Sequence, residues 1–200
     1  MNIVRVQRFS EIDLIVRLRK VYMLKDKNRR PYVFSVISLE SINLNCLIPA
    51  QRYVLSDELK KVRDLKWALL EHDVDIFKLD GYVKCWFDGI DEPIDVLPPI
   101  VEESFEPNDS VVNIVNDGMH RIYMALLEGI TPQVVFIRGV LKSCPYYAYP
   151  VPGGWNSVEI VDSLPENYIK KWHRIKNNKT LYRNFNSAFE NVGGPRGRTA

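Results

Sequence analysis

The stretch "VVNIVNDGMHRIYMALLEG", Val111 to Gly129, places an acid, a glycine, a histidine and an arginine between two apolar runs. "VVNIV" is short, β-branched and bounded by turn residues, which predicts a buried strand. Gly118 to Glu128 predicts a helix, and Gly129 stands where a helix C-cap glycine belongs. "PQVVFIRGV" from Pro132 reads as a second buried strand. Strand, helix and strand joined by a connection of crossover length predict a βαβ unit with parallel strands around residues 111–140. The fold class that follows is α/β, an α+β mixed sheet.

The polar turn falls where a strand ends and a helix begins. Such a helix start offers free N–H groups and a favourable dipole to an anion. Gly118 lets a phosphate approach the backbone, Arg121 can clamp phosphate oxygens, and His120 can donate or carry a proton. Asp117 repels a phosphate unless Mg²⁺ bridges the two or the carboxylate acts as a general base. The same residues also suit an ordinary turn, with Asp at an N-cap and His and Arg solvated on the first helical turn.

Further out, the first forty residues read as strands: "IVRVQRF", "DLIVRLRKVYM" and "RRPYVFSVISL" are rich in β-branched and aromatic residues. "SDELKKVRDLKWALLE", Ser56 to Glu71, predicts a helix with Ser56 as N-cap. "DIFKL" and "YVKCWF" around Asp80-Gly81 predict a hairpin, Asp88-Gly89 a second turn, and "PIDVLPPIVEESF" an extended segment. Glu102 and Glu103 lie toward the same mouth as candidate metal or substrate ligands, although adjacent strand residues face opposite ways. Beyond the second strand, "CPYYAYPVPGGW" predicts a loop on the rim of the turn, and "LPENYIKKWHRI" and "LYRNFNSAF" two short helices. The last residues, "VGGPRGRTA", read as a fraying end.

A 46% hydrophobic and 26% charged composition is that of a folded globular chain. Residues 170–200 hold eight Lys/Arg against one Glu, +7 in a chain of net +2, which leaves the first 169 residues at −5. Basic residues interleaved with aromatics in that tail suit single-stranded nucleic acid, or a segment that packs its rings and solvates its charges. Three widely spaced cysteines and no long apolar run predict a cytoplasmic protein without a membrane span. His72 and His173 have no partner at metal-ligand spacing, so no zinc site is expected.

"NDGMHRIYMALLEG" resembles the signature of the ParB/sulfiredoxin-like superfamily, in which a strand ends in a D-G-x-H-R, G-C-H-R or G-E-R-R turn that opens a helix. "DVLPPIVEESF" is similar to its extended P-I-V segment, and "SLESINLNCLIPAQRYVLSDELKKV" more weakly resembles its opening box, with Gln51 and Arg52 in place. The likeness covers about residues 33–140. Met119 stands at the position of the sulfiredoxin cysteine, and a thioether does no thiolate chemistry. His120 replaces the first arginine of the partition-protein pair, and the residues after Val140 are too few for the usual DNA-binding and dimerisation parts. The D-G-x-H-R form is closest to the branch of free-serine kinases and other small nucleotide-using enzymes.

That resemblance implies ATP or CTP as ligand, with Mg²⁺, and phosphoryl transfer or nucleotide hydrolysis. Asp117 and His120 would be catalytic. Pro99, Gly118, Met119, His120 and Arg121 would hold the nucleotide, and Asp117 and Glu102 the metal. Residues 1–150 would form the nucleotide-binding domain, and 151–200 a short-helix extension with a basic tail. The partners would be a nucleotide and a small-molecule acceptor. The other reading is a nucleic-acid-binding or nuclease-like module that uses the same turn and residues 170–200.

Overall fold

The computed structural model describes residues 2–107, 109–168 and 171–192. Its strands are β1 (Ile3–Ser10), β2 (Tyr22–Met23), β3 (Val36–Ser41), β4 (Tyr53–Leu55), β5 (Gly81–Phe87), β6 (Ile94–Val96), β7 (Ile100–Phe105), β8 (Val111–Asp117), β9 (Gln133–Arg138), β10 (Glu159–Val161) and β11 (Arg183–Asn184). The helices are α1 (Glu11–Leu18), α2 (Ser56–Leu70) and α3 (Met119–Glu128). Together they make a mixed α/β fold, as the sequence predicts. A four-stranded sheet in the order β3-β9-β7-β8 carries the turn, and β1-β5-β6 form a second sheet.

The central strands are apolar on both faces because both are covered. Val101, Val115, Val134 and Phe136 pack in one core with Leu59 and Leu69 of α2 and Ile122 and Ala125 of α3. Ile100, Ile114, Val135 and Ile137 enter the other, with Leu14 and Leu18 of α1 and residues from beyond Val140. Alternation along each strand sends successive residues into the two cores.

The strand–helix–strand succession is present, but its outer strands are not parallel neighbours. β7 and β8 pair antiparallel, and β9 pairs in parallel with the other edge of β7. β9 therefore runs antiparallel to β8, and one strand separates them. Asp117 lies opposite Ile100, and Ile100 opposite Val135. The turn thus sits at the carboxyl end of β8 and the amino ends of β7 and β9.

Three local expectations are corrected. Residues 11–18 are helix rather than strand, because Ser10 and Asp13 form a reciprocal capping box and Leu14 and Leu18, four apart, bury one face. Asp80-Gly81 does not turn a hairpin: β5 pairs with β1, and a Cβ on Gly81 would stand 1.9 Å from the Phe9 carbonyl oxygen. Ser56 does not cap α2. Leu55 is the N-cap, and the Ser56 hydroxyl donates to Asp162 at 2.6 Å. The Asp88-Gly89 turn and the Gly129 cap, left-handed at φ 65°, form as read.

Residues after 150 are woven into the earlier part. β10 pairs in parallel with β4, and β11 antiparallel with β2. Residues 164–168 and 171–175 form no helix; 178–181 and 185–187 are single 3₁₀ turns. Ile169, Lys170 and the final stretch from Gly193, which includes most of the fraying end, lie outside the described residues. Among the described residues, no helix is long and apolar enough to cross a membrane.

Candidate functional site

α3 begins at Gly118, whose φ of 80° is left-handed, and no side chain caps that start. An added Cβ would lie 2.9 Å from both Cα and Cβ of Pro99 and 3.0 Å from an Arg121 nitrogen. Glycine is therefore required here by the fold itself, before any ligand is considered. Pro99, expected among the residues that hold the nucleotide, lies against this glycine.

Arg121 is turned inward. One guanidinium nitrogen donates to the Leu97 carbonyl, and another lies 3.5 Å from the Asp117 carboxylate. Burial lowers the pKa of the guanidinium, and Asp117 opposes that shift. The two-pronged outward clamp expected of Arg121 is thus occupied by bonds within the turn. Asp117 keeps a third of its side chain exposed, against 13% for Arg121, so the acid is the more accessible member of the pair. Met119 is buried and packs into the core beneath α3, while His120 is half-buried on the first helical turn.

Directly under the turn lies a buried polar cluster. Glu102 points into the core shared with the C-terminal segment, where Arg183 grips both its oxygens at 3.0 and 2.7 Å. Neither side chain of this pair exceeds 1% exposure. Arg183 also donates to the carbonyls of Cys144, Pro145 and Leu181. Tyr32 and Asn116 donate to the same Glu102 oxygen, and Asn116 to the Tyr32 hydroxyl at 3.1 Å. Burial pushes the Tyr32 phenol well above its ordinary range. Desolvation opposes the Arg183 charge, but the fields of Glu102 and Tyr32 outweigh it and hold that pKa above normal.

Glu102 therefore lies beneath the mouth, with its charge answered by Arg183. Glu103 faces the other way, toward the Gly139 N–H at 3.2 Å and Arg138 at 3.9 Å. Among the described residues, no group of three or more His, Cys, Asp or Glu could hold a metal. Gln51 is buried and bonded to the Tyr53 carbonyl, and Arg52 pairs with Glu159. His72 bonds to the Ile3 carbonyl, and His173 stacks on Tyr147.

The sequence reading missed Tyr32, Lys171 and Arg183. Arg183 counted as one charge of a basic tail; the signal against that was its apolar setting between Leu181-Tyr182 and Phe185. The Tyr-rich loop does border the turn, with the Tyr146 hydroxyl 3.5 Å from the Asn116 carbonyl. Two clefts are also present, the first reaching the same loop at Pro145 and Tyr146. One of about 300 Å³ is lined by Glu103, Glu106, Asp109 and Lys142 at the far end of β7, and one of about 450 Å³ by Lys27, Arg29, Arg30 and Val33.

β8 of the mixed sheet thus ends in a helix opened by a left-handed glycine. The family model described as the ParB CE domain matches residues 13–159, and the chain belongs to that family. No curated protein and no solved structure matches it.

Proposed function

We propose that the chain is a cytoplasmic nucleotide-binding enzyme of the D-G-x-H-R branch, which takes ATP or CTP at the Asp117–Arg121 turn. Residues 1–150 form its nucleotide-binding part, with 151–200 as an extension. The observation that carries the reading is the start of α3: a ten-residue helix opened by a left-handed glycine whose N-cap has no side-chain hydrogen bond. Arg121 shapes this cradle from inside, holding Asp117 and the Leu97 carbonyl together.

A divalent ion fits here as the companion of the phosphates, with Asp117 as one protein carboxylate; Mg²⁺ commonly binds in that manner. Glu102, occupied by Arg183, is left out of that set. When bound, the ion would neutralise phosphate charge. In the transfer step an oxygen of water or of an acceptor hydroxyl bonds to the terminal phosphorus, and the bridging P–O bond breaks. The displaced proton passes to Asp117 or His120.

His120→Gln is expected to lower turnover of ATP or CTP about a hundredfold while nucleotide affinity holds, because a positioned proton carrier contributes at least that much. Phosphate release followed alongside equilibrium binding checks it; unchanged turnover removes His120 from the chemistry.

The cleft at Lys27, Arg29 and Arg30 favours a second reading, a nucleic-acid-binding or nuclease-like module that uses this face, the turn and the Lys/Arg-rich segment from residue 170. Contacts to several backbone phosphates would make such binding fall steeply with salt, whereas one pocketed nucleotide loses much less.

A further inference from the structure

The family match ends at residue 159, yet a later residue comes close to the turn. Lys171 Nζ donates to the Tyr147 hydroxyl and, at 3.4 Å, to that of Tyr146, and lies 4.5 Å from the centre of the Tyr147 ring. The Tyr146 hydroxyl in turn donates to the carbonyl of Asn116, the residue before Asp117, at 3.5 Å. Two hydrogen-bond lengths therefore connect the ammonium group to the turn.

This placement is built, because the chain around Lys171 is pinned to the tyrosine loop by its backbone. Tyr149 N–H donates to the Trp172 carbonyl at 2.7 Å, and Arg174 N–H to the Tyr147 carbonyl at 3.0 Å. Arg174 is tied further to Ser104 and Glu106. Burial raises the pKa of both tyrosines, Tyr147 to about 12, so at neutral pH they meet Lys171 as neutral hydroxyls.

The turn itself offers little net charge to an anion. Its arginine is buried and faces Asp117 and the Leu97 carbonyl. A polyphosphate carries more charge than one divalent ion offsets, so a cation from another part of the chain would add to its binding there. Resting on the nucleotide reading, we propose that Lys171 is a phosphate-binding residue of the site, oriented by Tyr146 and Tyr147, so that the C-terminal segment completes a nucleoside triphosphate site begun by the family domain.

Calorimetric titration of the full chain with ATP, ADP and AMP, and with the cytidine series, tests this. Lys171→Met is expected to weaken triphosphate binding about tenfold to a hundredfold, the usual worth of a charge-assisted bond, with the loss shrinking as phosphates are removed. Lys171→Arg should restore most of the triphosphate affinity, and Tyr147→Phe should give an intermediate loss while its ring keeps the packing. A loss equal for tri-, di- and monophosphate, or not rescued by arginine, would assign Lys171 a merely structural role and overturn the proposal. Unchanged affinity in Lys171→Met beside a wild type that binds would overturn it while leaving the nucleotide reading intact. A wild type that binds none of these nucleotides would overturn both.

Discussion

Replacing Arg183 by methionine is expected to lower the unfolding free energy by about 3–5 kcal/mol, because it leaves the Glu102 carboxylate charged and unpaired in the core. The pair is fully enclosed, with side-chain exposures of 0% and 1%. The loss extends beyond one bond, since the carbonyls of Cys144, Pro145 and Leu181 lose their guanidinium donors as well. For a chain of this size the midpoint of thermal unfolding should fall by roughly 10 °C. The double variant Glu102→Leu/Arg183→Met should recover much of that loss, as apolar replacement of whole buried pairs often does. Urea or thermal unfolding of the three proteins measures it. A single-variant loss below about 1 kcal/mol would place the pair among solvated ion pairs, against the burial described.

Gly118→Ala is expected to be the other severe substitution. The left-handed conformation costs an L-residue about 1–2 kcal/mol, and the methyl must displace Pro99 or the Arg121 guanidinium for a further 1–3 kcal/mol or so. The contacts are 2.9 Å to each of Cα and Cβ of Pro99 and 3.0 Å to Arg121, and the proline ring has little room to yield. Relief by moving Arg121 would release Asp117 and the Leu97 carbonyl, so nucleotide binding should fall along with stability. Unfolding curves show the first effect and titration of the refolded variant the second. A variant as stable as wild type would mean that the turn relaxes freely, and that glycine is kept for the ligand alone.

Much of the turn was legible because its residues are neighbours in sequence. The strand before the turn, the helix from Gly118 and the Gly129 cap follow from local pattern and backbone preference, but β8 is an edge strand that buries Ile114 and Val115 and leaves Val111 exposed, not the buried strand expected. Sheet order was not legible in that way. β-branched runs announce strands but not their partners, and β7 pairs antiparallel with β8 on one edge and parallel with β9 on the other. The capping box of Ser10 and Asp13 is by contrast a local signal, overridden by a β-branched run that also suits a strand. Glu102 and Arg183 are 81 residues apart, so their pairing leaves no local signal. Each alone looks like a strand-end acid or a tail cation, and only the fold makes them one buried unit.

The expectation of an outward phosphate clamp at Arg121 came from residue type alone. Type says that a guanidinium can grip two oxygens, but not which oxygens the backbone places nearby. Here they belong to Leu97 and Asp117. Arg121→Ala is consequently a poor probe of ligand binding, because it disturbs the turn from within. Lys171→Met is the cleaner test of binding, and His120→Gln of turnover.

The most direct measurement is a titration of the full chain with ATP and with CTP, each with Mg²⁺, at 50 and at 200 mM salt, beside labelled single-stranded DNA and RNA. The expected result is saturable one-to-one binding of one nucleotide, with affinity changing only modestly between the two salts. Absence of nucleotide binding, together with oligonucleotide binding that collapses by orders of magnitude at the higher salt, would contradict a nucleotide site at the Asp117–Arg121 turn and assign the chain to nucleic acid instead.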